Sequence, residues 1–567
     1  MGQQTIDSLM SQLPTLPALL EHIGYPRQRK GLSLLQLALV VIAGGAHAAS
    51  LAWPFAFGLA QGRPVWWLQL LALGALAWQL DGCRRFGQGL QVGWLFATAW
   101  LCGVFWWLFI SLHTYGGLAA PLAVLAVIGL AVFLASYYAL ACALYVTVAP
   151  ARRTRRALVF AALWLLAELA RVEFFTGFPW GEAGYAHLNG WLDDYARWVG
   201  VHGITFLAAF LAAGLAGWGQ SRRQVLLFPM MALVIVAVSL VAGRQTSTPA
   251  GSLQVTLLQG NIAQNEKFQP GTGLATALRW YGEQLQDART ALVVTPETAL
   301  PLLSGQLPPG YWSALEARFS SGAQAALIGI PMGSYSAGYA NAVVGIKPFS
   351  AGPPQGKSAP SGGSEVREAT SVGALTSGAA PTYRFDKHHL VPFGEFVPPG
   401  FRWFIDLMNI PLGDFSRGAL GQASFEWQGQ RLAPNICYED LFGEELAVSF
   451  SDAATAPTMM VNVSNIGWFG DTVAIDQHLN ISRMRALEFE RPMIRATNTG
   501  ATVIIDHTGK VTHALARHTR GVLVGEVEGR NGLTPYVQWV SRFGLWPFWL
   551  GAAFVVVLAW VARRRRR

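Results

Sequence analysis

Pro434-Asn435-Ile436-Cys437-Tyr438-Glu439-Asp440 sets one cysteine at the end of an apolar, strand-like run, with two carboxylates just after it. The chain has four cysteines. Cys83, Cys102 and Cys142 lie in or beside long apolar segments, whereas Cys437 alone falls in a part of ordinary globular composition. A thiol with no disulfide partner in its own compartment is either inert core or a nucleophile. What the rest of the chain brings to it decides between the two.

The 567 residues are 52% hydrophobic and 13% charged; a soluble domain carries about 25% charged residues. The apolar excess is concentrated at 31–245 and about 541–562, and 246–540 has globular composition. This pattern predicts a polytopic α-helical membrane domain carrying one large water-soluble domain. The net charge of +9 comes largely from short Arg clusters beside the apolar runs. They read as membrane topology, and no nucleic-acid partner is expected, because the clusters lack the fold context of a nucleic-acid reader. The first thirty residues are polar and show no cleavable signal-peptide pattern.

Apolar runs follow at roughly 33–57, 65–80, 91–112, 118–148, 157–175, 202–219 and 225–243, with an eighth at about 542–562. Each is near or above the roughly 20 residues that cross a hydrocarbon core, 65–80 being the weakest. Pro54 predicts a break in the first run. Arg27/Arg29/Lys30, Arg84/Arg85, Arg152/Arg153/Arg155/Arg156, Arg222/Arg223 and Arg563 to Arg567 fall on every second side. The positive-inside rule then places both termini in the cytoplasm, gives about eight transmembrane helices (seven of them before residue 246), and puts the soluble domain outside the cytoplasm. The loop 176–200, with Phe178, Trp180 and Tyr185, is either an interfacial aromatic belt or the lining of a lipid entrance under the soluble domain.

Within 246–540, strands are predicted at Leu253–Asn261, Ala291–Pro296, Ala325–Pro331, Asn341–Ile346, Tyr383–Phe385, Leu432–Cys437, Thr458–Val463, Ala501–Asp506 and Val522–Val527. Helices are predicted at Thr272–Leu285, Tyr311–Phe319 and Asp476–Arg495. Strands alternating with helices predict a layered α/β domain. The Gly/Ser/Pro/Ala-rich stretch 348–381 reads as a flexible insertion.

Three polar residues stand at strand ends: Glu297, Lys387 and Cys437, separated by 90 and 50 positions. As a set they suffice for acyl transfer. A thiol of ordinary pKa needs a base. Glu297 can take its proton if burial raises the carboxyl pKa. Lys387 can stabilise the oxyanion on the attacked carbonyl, aided by the Tyr438 N–H. On residue types alone the trio is weak, because any large domain contains such a set.

The motifs around these residues are more specific. Gln259-Gly260-Asn261, Pro296-Glu297-Thr298, Lys387-His388-His389-Leu390-Val391-Pro392-Phe393-Gly394-Glu395 and Cys437-Tyr438-Glu439 occur in that order. Asn465, Trp468-Phe469-Gly470, Gln477-His478, Arg485-Ala486-Leu487-Glu488, Arg491-Pro492 and Thr534-Pro535-Tyr536 follow. The soluble part resembles the nitrilase superfamily of carbon–nitrogen hydrolases. Nearly the whole chain resembles its apolipoprotein N-acyltransferase branch.

The resemblance implies an αββα sandwich, with Glu297 as general base, Lys387 as oxyanion stabiliser and Cys437 as nucleophile. It makes Glu395, Tyr438 and Glu439 supporting groups, and Phe268, Asn465 and Trp468 lining of a substrate or acyl pocket. It further implies a phospholipid acyl donor, a diacylglyceryl apolipoprotein acceptor, a thioester intermediate with ping-pong catalysis, and a bacterial inner-membrane location with a periplasmic catalytic domain. Thr295, Phe268 and Ile466 stand where the family often has Trp, Trp and Asp, which bears on pocket detail. No cofactor or metal is expected, since Gln477 and His478 lack a ligand set. His388 and His389 read as structural or solvated. An alternative is a membrane-tethered amidase acting on a small C–N substrate. A transporter with an inactive external domain fits poorly with so few intramembrane charges.

Overall fold

The computed structural model describes residues 31–217, 245–348, 383–398, 400 and 414–565, with a few isolated positions between 230 and 238. The predicted insertion, apart from residue 348, and most of the seventh apolar run lie outside the described residues.

The bundle comprises α1 (Leu34–Leu51), α2 (Trp66–Gly82), α3 (Phe86–Phe105), α4 (Ala120–Val148), α5 (Arg153–Glu173) and α6 (Ala196–Ala216). Ser33 starts α1 with a capping box: its hydroxyl accepts the Gln36 N–H, and the Gln36 side chain accepts the Ser33 N–H. The helix ends at Leu51, ahead of Pro54, where a break was expected. Small residues allow close packing of α3 on α4: a Cβ on Gly93 would come within 2.6 Å of the Cys142 Cβ. Asp81 at the end of α2 pairs with Arg153 and, at 2.6 Å, with Arg156 at the start of α5. Among the described residues four helices are long and apolar enough to cross a membrane: Leu34–Leu51, Ala120–Val148, Asp193–Ala216 and Trp546–Arg564. This is half the number read from the sequence. One of the missing spans lies mostly outside the described residues, and α2 has only 17 residues.

Among the described residues beyond the bundle, the strands form two six-stranded sheets. The first contains β1 (Thr248–Gln259), β2 (Leu292–Val294), β3 (Ala325–Ser334), β4 (Gly338–Ile346) and β5 (Tyr383–Asp386). The second contains β6 (Phe425–Trp427), β7 (Gln430–Ile436), β8 (Met459–Ser464), β9 (Met493–Thr497), β10 (Val503–Ile505) and β11 (Val511–Ala514). The last strand, β12 (Gly521–Asn531), returns to pair antiparallel with β1. Each sheet has a parallel trio at its centre: β1-β2-β3 in one and β7-β8-β9 in the other.

Val255, Leu257, Val294, Leu432, Ile436, Val461 and Ile494 fill the space between the sheets. Strands β2 and β3 read as near-continuous apolar runs because both faces are covered. Outside the first sheet lie α7 (Ala275–Asp287) and α8 (Tyr311–Ser320), which contribute Tyr281, Leu285, Leu315 and Phe319. Outside the second lies α9 (Ala474–Phe489). Its Ile475 and Met484 belong to the same core cluster as Met460 and Met493 of the sheet and Val201 and Ile204 of the bundle. The fourth layer of the sandwich is therefore continuous with the bundle. The chain then passes through α10 (Pro535–Phe543), capped by Thr534, into α11 (Trp546–Arg564).

The expectation of one helix over Asp476–Arg495 is corrected. Helix α9 stops at Phe489, Glu490 takes a left-handed φ of 46°, and β9 begins at Met493. Pro492 has no N–H to continue a helix. The Glu490 carboxylate also accepts the N–H groups of Thr246 and Ser247 and pairs with Arg197, which fixes the turn. The short strands β6 and β11 were not foreseen either.

Candidate active site

The central strands of both sheets end at one rim, where an open α/β scaffold gathers polar groups. Cys437 follows directly on β7 with φ 53°, a sharp bend that costs a non-glycine residue about 1–2 kcal/mol. The surroundings hold it there. Glu439 accepts the Ile436 N–H at 2.6 Å. The Cys437 carbonyl accepts from the Asn462 amide at 3.2 Å and lies 3.2 Å from His478 Nε2. Arg495 donates to His478 Nδ1 at 2.9 Å, so the ring carries its proton on Nε2, which faces Asp440 at 2.9 Å. The Cys437 side chain is half-buried.

Glu297 lies just beyond β2, and the next residue, Thr298, also has a positive φ of 50°. Its Oε1 accepts from Asn341 at 2.7 Å and from Lys387 at 3.4 Å, and its Oε2 accepts the Asn465 N–H at 2.8 Å. Lys387 follows β5, is 1% exposed, and donates to Glu395 at 2.8 Å. Asn341 joins both carboxylates, donating to Glu395 at 3.0 Å. Glu395 is anchored in turn by the Val391 N–H at 2.9 Å.

The electrostatics follow from this packing. Burial alone would raise the Glu297 carboxyl. Lys387, the Asn341 amide, Lys267 and the Asn465 N–H outweigh it, so Glu297 stays below the ordinary carboxylate range. The condition of a carboxyl raised by burial is thus not met: Glu297 is held ionised by its partners. Burial lowers the Lys387 ammonium, but Glu395 and Glu297 more than reverse this and hold it protonated. Burial, then the Glu297 charge, push the Cys437 thiol up to about 12, against Lys387 and the neighbouring Ser464 hydroxyl. The resting site is therefore a neutral thiol facing an ionised carboxylate and an ammonium.

Of the supporting residues, Glu439 is buried and accepts the His388 and His389 N–H groups at 2.7 and 3.2 Å, which ties the lysine segment to the cysteine turn. Tyr438 donates its hydroxyl to the Gly177 carbonyl at 3.2 Å. Asn465 orients Glu297 through its main chain, and its side chain is taken up by Gln264 and Asn498. Phe268 is half-buried, and Trp468 packs edge-on to Tyr115 of the bundle at 5.9 Å. His388 and His389 are structural: the first contacts the Gly418 carbonyl, the second Glu445 and the Thr176 carbonyl.

Three further elements went unread in the sequence. Asn341 is a lone polar residue in an apolar strand, and that contrast was the available signal. Lys267 is 2% exposed and donates to the Glu297 carbonyl at 3.3 Å. Arg495, buried in β9, pairs with Asp440 at 3.3 Å and supports the cysteine turn from behind.

The loop after α5 runs beneath this rim. Phe178 is stacked with Tyr438, and Trp180 is 3% exposed. The Trp107 and Trp180 indoles donate to Gln477 at 3.0 and 2.8 Å, and Gln477 donates to the Val104 carbonyl at 3.0 Å. Of the two readings of 176–200, the loop thus lies under the soluble part, while Phe175, just before it, is 77% exposed. Among the described residues, Glu168, Glu182 and His202 bring possible metal-ligand atoms within 4.8 Å of one another. They belong to the bundle and its loop, and Gln477 and His478 are already engaged elsewhere.

Residues 45–214 match the family model of the apolipoprotein N-acyltransferase N-terminal domain, and residues 363–536 match that of carbon–nitrogen hydrolases. The chain is 54% identical to apolipoprotein N-acyltransferase of Verminephrobacter eiseniae, over 94% of this chain and 97% of that protein. It is 42% identical to the Ralstonia nicotianae protein of the same name, over 88% and 90%. Among solved structures, a carbon–nitrogen hydrolase of Helicobacter pylori is similar at a TM-score of 0.32 and 16% identity, covering 53% of this chain and 95% of that one. Full-length identity at this level, through bundle and sheets alike, places the chain in the apolipoprotein N-acyltransferase family.

Proposed function

We propose that the protein moves an acyl chain from a phospholipid, through a thioester on Cys437, to the α-amino group of a diacylglyceryl-cysteine at the N-terminus of an apolipoprotein. Glu297 takes the thiol proton as Cys437 Sγ attacks the ester carbon. Lys387 and the Tyr438 N–H stabilise the oxyanion. Glu297 then returns the proton to the departing lysophospholipid alkoxide, and the thioester remains. In the second half-reaction the amine nitrogen attacks the thioester, and the same groups serve the second oxyanion. Glu395 and Glu439 hold Lys387 and the cysteine turn in register. Phe268 and Trp468 line the acyl path, which reaches the site from the bilayer along the loop under the rim.

This reading assigns 1–245 to a seven-helix membrane domain, 246–540, including the insertion 348–381, to the catalytic domain, and 541–567 to the eighth span and a basic tail. Both termini are cytoplasmic and the catalytic domain is periplasmic, in a bacterial inner membrane. The observation that carries it is the meeting of Glu297, Lys387 and the cysteine turn at a rim that rests on the membrane bundle. Hydrolysis of a small soluble amide would need no such floor, and the family membership does not favour it.

The test is mass spectrometry of the intact protein and of its peptides after incubation with phospholipid vesicles. The expected product is one acyl mass on a peptide containing Cys437, lost in Cys437→Ala. Acylation persisting in that variant would assign the nucleophile elsewhere.

A further inference from the structure

Two lysines reach Glu297, and they are held differently. Lys387 donates to two carboxylates, at 2.8 and 3.4 Å. Lys267 reaches only the main-chain oxygen of Glu297, at 3.3 Å, and no carboxylate lies within hydrogen-bond distance of its Nζ among the described residues. It is nevertheless 2% exposed, on the segment between β1 and α7, and the charged or titratable groups that act on it are Glu297 and Cys437. Gln264 of the same segment is neutral and bonded to Asn465.

The second half-reaction leaves one proton without an acceptor. An α-amino group has a pKa of about 8 and arrives largely as the ammonium near neutrality. It loses one proton before it can attack and a second from the tetrahedral adduct. Glu297 takes the second and passes it to the departing Cys437 thiolate, which restores both groups. The first is the net proton of the reaction, thioester plus ammonium giving amide, thiol and H⁺, and it needs another base. Lys387, clamped between carboxylates, cannot serve.

We propose that Lys267, in its neutral form, accepts the ammonium proton of the incoming lipoprotein amine and releases it to water after transfer. This rests on the acyl-transfer reading above. Burial, the dominant influence, brings the Lys267 ammonium down to about 8 despite the attraction of Glu297 and Cys437. Proton exchange with an α-ammonium is then close to balanced, the condition for efficient general-base action.

The experiment separates the half-reactions in the full-length protein in phospholipid vesicles. Thioester on Cys437 is followed by mass, and transfer is then started with a diacylglyceryl-cysteine peptide. In Lys267→Gln and Lys267→Arg, transfer is expected to fall about 10²-fold, at least tenfold more than thioester formation. N-ethylmorpholine, a tertiary amine that accepts a proton but forms no stable amide, should restore transfer in Lys267→Gln with rising concentration and leave the wild type unmoved. Arginine keeps the charge but accepts no proton, so wild-type transfer in Lys267→Arg would overturn the proposal. Equal losses in both steps, or no rescue, would also overturn it. Absence of any thioester in the wild type would instead remove the acyl-transfer reading on which it stands.

Discussion

The Glu439 carboxylate accepts the His388 N–H at 2.7 Å, so the residue two places after the cysteine fixes the main chain one place after the lysine. The same side chain also accepts the His389 and Ile436 N–H groups. Replacement by Gln turns one acceptor oxygen into a donor facing a buried N–H, a cost of about 1–3 kcal/mol. Glu439→Gln should unfold several degrees lower in detergent, and its thioester formation should fall as Lys387 and Cys437 lose register. An unchanged melting temperature would show that these three contacts carry no strain-relieving load.

The Cys437 thiol should not titrate like a free cysteine. Its pKa is raised to about 12, which favours the protonated form, so at pH 8 its thiolate fraction is about 10⁻⁴ against roughly a quarter for an ordinary thiol. Peptide-resolved alkylation by iodoacetamide at pH 8 should be at least tenfold slower at Cys437 than for glutathione, with no inflection between pH 7.5 and 9.5. An inflection near 8.5 would mean that the sulfur is solvated and unbuffered by Glu297.

Lys387 divides its attraction between Glu395 and Glu297. Neutralising Glu395 as Gln leaves Glu297 as the one anionic hydrogen-bond partner of Lys387 among the described residues, which strengthens that pair and, on the proposed reading, weakens Glu297 as a base. Thioester should then accumulate about tenfold more slowly, while the protein stays folded. A rate equal to wild type in a vesicle time course would separate Glu395 from the chemistry.

Gln477 satisfies the indole N–H groups of Trp107 and of Trp180, in the loop after α5, with one oxygen. Gln477→Leu keeps the volume but orphans both donors, each costing about 1–3 kcal/mol when buried. The variant should lose several degrees of thermal stability and become more open to protease around residue 180, as limited proteolysis can show. Full retention of both would mean that water replaces the amide at this joint.

The parts of this molecule that repeat or alternate were readable from its residues. Long apolar runs announced the bundle, and the strands of both parallel trios were found except β9. That strand was hidden because Arg495 and Arg491 continue a helical spacing, which the Glu490 turn and Pro492 interrupt. Glu297, Lys387 and Cys437 could be named because each closes a strand within a distinctive motif. Their partners could not. Asn341, Lys267 and Arg495 act through contacts with positions some 30 to 60 residues away, and nothing in their immediate neighbours encodes those contacts. The direction of the Glu297 shift is illegible for the same reason: its surroundings in sequence suggest burial, but not the four groups that outweigh it.

Helix α9 has one flank on the second sheet and the other on the bundle. Genetic excision of the hydrolase half would thus bare Ile475, Met484 and Gln477 to water and take away the support beneath the cysteine turn. Such a fragment would aggregate instead of dissolving, and any preparation that keeps the Cys437 turn in place has to retain the helices together with detergent or lipid.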